Sequence, residues 1–228
     1  MPQEFIVESF ISSKQLNNQS VSLVIPRIVR DKIHNVLYYK VNLNNASLRG
    51  ETMLQLAKVI VRDLGTLVDR PVSSVRILGG VEFKCILMKL IEIRPTWDQL
   101  LSLLNINEKH KETFSNKYIL ALVLVYMRIQ YYFLTDQSQS KIYGDLFKQK
   151  MEDYRKLKSV SMDTDCWSMS QTIEVEIVHI DELVDWLTTK DEIWGIPLGR
   201  CQWCALFDEN NESSSEDESF SDENDDLE

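Results

Sequence analysis

The chain has 228 residues, of which 44% are hydrophobic and 26% are charged, which suits one core-bearing domain and argues against two large ones. Its formal net charge of -10, from 25 Lys and Arg against 35 Asp and Glu, argues against strong nucleic-acid binding by the whole chain. Residues 208–228 hold 11 of those acids and no base, so residues 1–207 are near neutral, with 25 basic and 24 acidic side chains.

The first predicted element is a helix over residues 26–40. Proline at its start suits a first helical turn, and Val29, Ile33, Val36 and Leu37 form an apolar stripe at helical spacing. The stripe predicts that this helix packs one face against a core.

Three further amphipathic helices are predicted before the middle of the chain. The first begins near residue 47 and ends about residue 65, and the second covers residues 81–94. The polar positions of the second fall on one narrow stripe, formed by Glu82, Lys89 and Glu92. Proline at 95 closes that helix, and Thr96 begins the third, which ends near residue 105.

Residues 118–134 are apolar nearly all round, which predicts a buried central helix wrapped by the others. The uncharged part ends at Arg128, well short of the roughly 20 apolar residues that a bilayer span requires. We therefore expect no membrane segment here, and the acidic N-terminus argues against a secretory signal. Helical pattern resumes over residues 143–154.

The period then changes to two, because Ile173, Val175 and Ile177 alternate with glutamates. This alternation predicts a half-buried strand that pairs with residues 155–160 in a small β-hairpin within the region 155–180. Asp181 is expected to cap a following helix, with little regular structure beyond residues 195–199. The fold class is therefore mainly α, a single compact helical domain over residues 1–207, followed by a disordered acidic Ser-rich tail over residues 208–228.

Enzymatic chemistry is not suggested by any motif. The glycines do not form a phosphate-binding loop, and His34, His110 and His179 lie in unrelated segments without a nucleophile motif. Cys201 and Cys204 have the spacing of half a zinc site but lack a second pair. We predict no catalytic residue, no metal, no cofactor and no small-molecule substrate.

Charged stretches are the candidate contact residues. Two basic stretches offer contacts to RNA phosphates. The first is near the start and holds Arg27, Arg30 and Lys32. The second covers residues 141–158, with six basic and three acidic residues, and its candidates are Lys148, Lys150, Arg155 and Lys156. Residues 174–192 hold seven acids and one lysine, and their Glu182 and Asp185 are candidates for docking a basic protein. Solvated helix faces with i,i+4 ion pairs, such as Arg27 with Asp31, are the alternative interpretation of these patterns.

Several blocks read together resemble the pre-mRNA-splicing factor 38 family in its short fungal form. They are SVSLVIPRIVRDKIHNVLYYKVNL at 20–43, LGGVEFKCILMKLIEIRP at 78–95, KYILALVLVYMRIQYY at 117–132, HIDELVDWL at 179–187 and IWGIPLGRCQW at 193–203. The resemblance implies a mostly helical domain with a small hairpin. It also implies a non-enzymatic, nuclear subunit of the U4/U6.U5 tri-snRNP that is required for spliceosome activation.

The partners implied by the resemblance are other spliceosomal proteins, including a zinc-finger protein and a long helical charged protein. The family's animal members carry Arg/Ser-rich tails, whereas this chain ends in acids and serines. A scaffold role is therefore our first hypothesis. The alternative is a direct RNA-binding module that uses the basic helix faces, with RNA close by in either case.

The acidic tail also suggests regulation. Four of its serines have an acid three residues downstream, the pattern that acidophilic kinases recognise: Ser213, Ser214, Ser215 and Ser219. Each phosphate adds about -1.5 to -2 charges. An unmodified solubilising tail is the alternative.

Overall fold

The computed structural model describes residues 24–48, 52–67, 76–107, 114–131, 134, 137–162 and 174–199. Eight α-helices have both ends within these ranges: α1 (Arg27–Asn35), α2 (Leu37–Asn42), α3 (Met53–Leu64), α4 (Val81–Ile93), α5 (Trp97–Leu104), α6 (Lys117–Tyr131), α7 (Gln137–Lys150) and α8 (Ile180–Thr189). Three antiparallel strand pairs accompany them: β1 (Thr66–Leu67) with β2 (Phe114–Ser115), β3 (Lys156–Val160) with β4 (Val175–His179), and β5 (Glu192–Ile193) with β6 (Ile196–Pro197). A 3₁₀ turn, Asn105–Asn107, follows α5. The predicted mainly α fold is confirmed.

Helix α6 is the centre of the core. Every residue from Tyr118 to Gln130 is buried, because α3, α4, α5, α7 and α8 all pack against this helix. A helix that is apolar all round reaches low energy only when neighbours cover it on every side. The predicted central helix is thus confirmed. Among the described residues, no helix combines the length and hydropathy needed to cross a bilayer.

The predicted hairpin is confirmed as β3 paired with β4. Lys156 lies opposite His179 and Val160 opposite Val175, and the strands join α7 to α8. Leu78 extends this small sheet on the other side of β3, where it exchanges backbone hydrogen bonds of 2.7 and 2.9 Å with Lys158 and Val160.

The predicted first helix is broken in two at Val36. That residue has extended backbone angles, φ -68° and ψ 136°, so α2 restarts with a different face toward the core. Leu37, predicted on the apolar stripe, is instead 74% exposed, whereas Ile33 is fully buried. The predicted second helix begins at Met53 rather than near residue 47.

Two polar predictions also fail in detail. Lys89, placed on the exposed stripe of α4, is 1% exposed and forms a 2.8 Å ion pair with Glu92. Asp181 does not cap α8, because β4 continues to His179 and the helix starts immediately after it. The N–H of His179 instead donates to Oε2 of Glu182 at 2.7 Å, and Asp181 lies in the first turn.

The segment after α8 has more structure than the sequence predicts. Strands β5 and β6 turn at Trp194 and Gly195, both with positive φ. The indole Nε1 of Trp194 donates to the carbonyl of Val160 at 3.3 Å, and its ring meets Phe83 edge-on at 5.7 Å between centroids. Residues 192–199 are thereby attached to β3 and α4. The predicted tail at 208–228 lies outside the described residues.

Candidate protein-interaction surface

The hairpin brings together the basic and acidic stretches that the sequence separates. Lys156 of β3 is in register with His179 of β4, which leads directly into the acidic first turn of α8. The N–H of Asp181 also donates to the carbonyl of Asp153 at 3.2 Å, so α8 is tied to the segment that precedes β3. We call the solvent-accessible side chains around this junction the hairpin surface. Arg155, Lys156 and Lys158 form its basic end, and Glu182 and Asp185 form its acidic end.

Arg155 is fixed at the basic end of the hairpin surface. Its Nη2 lies 2.6 Å from Oδ2 of Asp153, and its Nη1 donates to Oδ1 of Asn116 at 3.2 Å. Burial alone raises the pKa of Asp153, but the hydrogen bonds and charge of Arg155 outweigh it and hold the pKa of that carboxyl below its usual value. Arg155 therefore has a defined orientation rather than a free side chain.

Two further cations join this end: Lys117, which the sequence did not identify, and Lys158, the last residue of the predicted basic stretch. Lys117 donates from Nζ to the carbonyl of Lys156, and Lys158 follows Lys156 on the same face of β3. Burial lowers the pKa of Lys117, and the nearby charges of Arg155 and Lys158 lower it further. The predicted basic stretch includes Lys158, whereas no sequence signal places Lys117 here.

The other predicted basic residues lie in two places. Lys148 and Lys150 are in the last turn of α7, and the charge of Lys150 acts on Asp153. Arg27, Arg30 and Lys32 are on α1, which packs against α2 and α4.

Helix α1 lies toward the Val160 end of β3. Its Val29 is 3.9 Å from an ideal Cβ position at Gly195, in the turn whose Trp194 reaches Val160. Lys156 is at the opposite end of β3 from Val160. The structure therefore places the two predicted basic stretches toward opposite ends of that strand. Arg27 and Asp31 form the predicted i,i+4 pair at 3.6 Å, with both side chains mostly exposed.

The acidic end consists of Glu182 and Asp185 on α8. Both are exposed, and their three-residue spacing puts them on one face of the helix. Glu182 is held by its hydrogen bond from the His179 N–H, whereas the side chain of Asp185 points to solvent. The Lys190 ammonium lies 5.8 Å from the centre of the Trp186 ring, at the end of the same helix.

Apolar side chains are also exposed here, contrary to the predicted orientation of β4. Val175 is 42% and Ile177 65% exposed, whereas Val178 is 3% exposed. In the register of the hairpin, Val178 shares its face with Leu157 and Ser159, which are buried. Val178 is therefore the β4 residue that packs with Leu157, whereas Glu174 and Glu176 on its face and Val175 and Ile177 on the other face are all exposed.

Candidate metal ligands are scattered in the part of the chain that the structure describes. Within the described ranges, no three His, Cys, Asp or Glu side chains lie close enough to hold a metal ion. Cys201 and Cys204 lie outside the described ranges, and Cys85 is buried in α4. The surface presents instead charge of both signs and exposed apolar groups, which are the ingredients of a protein-binding face.

Comparison with known proteins identifies the family. The model of the PRP38 family matches residues 14–211. This chain belongs to the PRP38 family. It is 54% identical over 220 residues to a Saccharomyces cerevisiae protein named pre-mRNA-splicing factor 38, covering 92% of this chain and 90% of that one. It is 24% identical over 209 residues to the Drosophila melanogaster protein of the same name, covering 88% of this chain but 51% of the longer fly protein.

A solved structure has the same fold as this PRP38-family chain. It is the Snu23–Prp38–MFAP1(217–258) complex of Chaetomium thermophilum, matched with a TM-score of 0.57 and 22% identity over 82% of this chain and 80% of that one. The resemblance inferred from the sequence blocks is thus confirmed by the family match.

Proposed function

We propose that this chain is a non-enzymatic protein-interaction scaffold in pre-mRNA splicing. The observation that carries the proposal is the 54% identity to the yeast splicing factor over nearly the full length of both chains. In finer terms, the proposal is a nuclear subunit of the U4/U6.U5 tri-snRNP that is required when the assembled spliceosome is activated.

The proposed partners are spliceosomal proteins of two kinds, a zinc-finger protein and a long helical charged protein. The solved complex joins a protein of the same fold to Snu23 and MFAP1, which makes their counterparts in this organism the first candidates. The hairpin surface supports a docking role, since Arg155 is pre-oriented by Asp153 and the exposed acids Glu182 and Asp185 lie close by.

Two experiments test the scaffold. The purified full chain is expected to bind the counterparts of Snu23 and MFAP1 in calorimetric titrations. Depleting it from a splicing extract is expected to stall the reaction after assembly and before the first chemical step, and adding it back is expected to restore splicing. Normal splicing in the depleted extract would refute the proposal.

A second candidate function, RNA contact, is favoured by one observation. Lys117, Arg155, Lys156 and Lys158 converge closely enough for two of them to depress the pKa of Lys117. Binding through such a cluster weakens steeply with salt. Filter binding measures the RNA affinity of the full chain across salt concentrations. The same measurement on the double variant Lys156→Glu and Lys158→Glu tests whether the cluster carries the binding. Deleting residues 208–228 is expected to raise the RNA affinity, because 11 acids then no longer compete for the cluster. No binding at low salt excludes the candidate.

We also propose that Ser213, Ser214, Ser215 and Ser219 are phosphorylated by an acidophilic kinase. Their downstream acids support it. Mass spectrometry of the protein from its native cells is the test, and tail peptides recovered only in unmodified form would exclude it.

A further inference from the structure

The outer edge of β4 has backbone groups that no other described residue uses. The N–H of Ser161 donates to the carbonyl of Glu174 at 3.1 Å, which fixes the phase of the ladder. Hydrogen-bonded and non-hydrogen-bonded pairs alternate in an antiparallel hairpin, so Glu176 and Val178 face β3. The N–H and C=O groups of Val175 and Ile177 therefore point away from the hairpin.

The opposite side of the sheet agrees with this phase. Lys158 and Val160, which lie opposite Ile177 and Val175, turn their backbone groups outward from the hairpin and bond to Leu78. Leu78 thus occupies one edge of the small sheet. Within the part of the chain that the structure describes, β3 is the only strand that pairs with β4.

Side chains along the open edge have a distinct pattern. Val175 and Ile177, 42% and 65% exposed, lie on one face, and the exposed Glu174 and Glu176 lie on the other. An added strand would place alternate side chains beside each set. Residues beside the apolar pair would gain burial, and basic residues beside the glutamates would gain opposite charge.

We propose that the outer edge of β4 binds an extended segment of a partner protein in which apolar and basic residues alternate, adding a strand to the β3–β4 sheet. The inference rests on the proposed scaffold function and specifies one mode of partner binding. A second copy of this chain fits poorly, because pairing two β4 strands would bring the glutamates of both copies to the same face.

The position of the edge suggests a selective variant. Ile177→Pro removes an N–H that points outward, so the ladder to β3 keeps its hydrogen bonds, and proline is tolerated on edge strands in this orientation. Val41→Thr is the matched control, because Val41 is similarly exposed, at 58%, but lies on α2. Circular dichroism and urea unfolding establish that both variants fold.

The probes are two capped hexapeptides of equal composition, one alternating Lys and Val and the other with three Lys followed by three Val. With the full-length chain, the alternating peptide is expected to bind more tightly and to slow hydrogen exchange at the amides of Val175 and Ile177. Ile177→Pro is expected to weaken this binding about tenfold, the equivalent of one hydrogen bond with its contacts, whereas Val41→Thr leaves it unchanged.

Several results would overturn the inference. They are equal binding of the two peptides, unchanged binding by Ile177→Pro, and exchange at Val175 and Ile177 that is already slow in the free monomer. Light scattering that shows a dimer with these amides protected would identify a second copy as the occupant and also overturn it. Failure of the peptide test with intact binding to the Snu23 and MFAP1 counterparts removes only the edge inference. The reverse pattern removes only the proposed function.

Discussion

Arg128→Met tests how the central helix holds the C-terminal part of the domain. Arg128 is fully buried, yet its described partners are backbone carbonyls: Nε donates to Leu187 at 2.6 Å, and Nη1 and Nη2 donate to Leu198 and Gly199 at 2.7 Å. Leu187 lies in the last turn of α8, where carbonyls lack helical partners and the helix dipole favours a cation. The guanidinium therefore binds a helix end and the segment after β6 at once.

The expected loss follows from these three bonds. Hydrogen bonds to a charged group contribute about 1.5–3 kcal/mol each. Methionine fills a similar volume and relieves the desolvation of the cation, but it leaves the buried carbonyls unpaired. A buried carbonyl left without its donor costs about 1–3 kcal/mol, so two buried carbonyls and the half-buried one of Gly199, offset by the relieved desolvation, give an expected loss of about 3 kcal/mol of unfolding free energy. For a chain of this length, that loss lowers Tm by about 10 °C.

Urea unfolding followed by tryptophan fluorescence measures this loss. Arg128→Lys, which keeps the charge but loses the planar fork, is expected to fall between the wild type and Arg128→Met. Arg27→Met is the control, because its ion pair is mostly exposed, and it is expected to change stability by less than about 0.5 kcal/mol. A loss under about 1 kcal/mol for Arg128→Met would refute the assigned role of the three carbonyl bonds.

Three further predictions concern local structure. Thr96 accepts from the Gln99 N–H and Gln99 reaches back to the Thr96 N–H, so Thr96→Ala is expected to cost about 1 kcal/mol in urea unfolding, against a smaller loss for Ser102→Ala. Gly79 and Gly195 both have positive φ, 71° and 78°, but a Cβ at Gly79 would lie 2.4 Å from the Trp194 ring, whereas the nearest atom to a Cβ at Gly195 is 3.9 Å away. Gly79→Ala is therefore expected to lower Tm more than Gly195→Ala. Equal Tm shifts would contradict the steric argument. The pKa of Asp153 is lower in the folded chain than in the unfolded chain, so its carboxylate stabilises the fold at a pH above the ordinary Asp pKa, and this stability is lost as the pH falls through the folded pKa. Asp153→Asn is therefore expected to flatten the acid limb of a plot of unfolding free energy against pH. An unchanged acid limb would contradict this.

The helical fold could be predicted because its signals are local. The all-apolar run of α6, the proline and capping threonine between α4 and α5, and the change of period before α8 each depend on neighbouring residues only. The break at Val36 has no such signal, since proline and glycine are absent there. It depends on how α1 and α2 each meet α4, which is a tertiary property.

The candidate surface was less predictable than the helices, because it also depends on tertiary structure. Arg155, Lys156, Glu182 and Asp185 were identified as charged residues, but their closeness depends on the register that sets Lys156 opposite His179. Lys117 joins them from the start of α6, 39 positions away from its carbonyl partner on Lys156. Alternation alone also could not decide which face of β4 is buried, because a two-residue period is consistent with either side.

The exposed apolar pair on β4 is difficult to explain as simple surface. An open strand edge with Val175 and Ile177 exposed beside it invites unwanted pairing, and proteins usually protect such edges with charge. Glu174 and Glu176 supply that charge on one face, and Lys156 and Lys158 flank the other. These charges oppose pairing between copies. They leave the N–H and C=O groups of Val175 and Ile177 open to a strand in which apolar and basic residues alternate. Charge placed in this way protects the edge and also selects what binds it, which is the behaviour required of a scaffold.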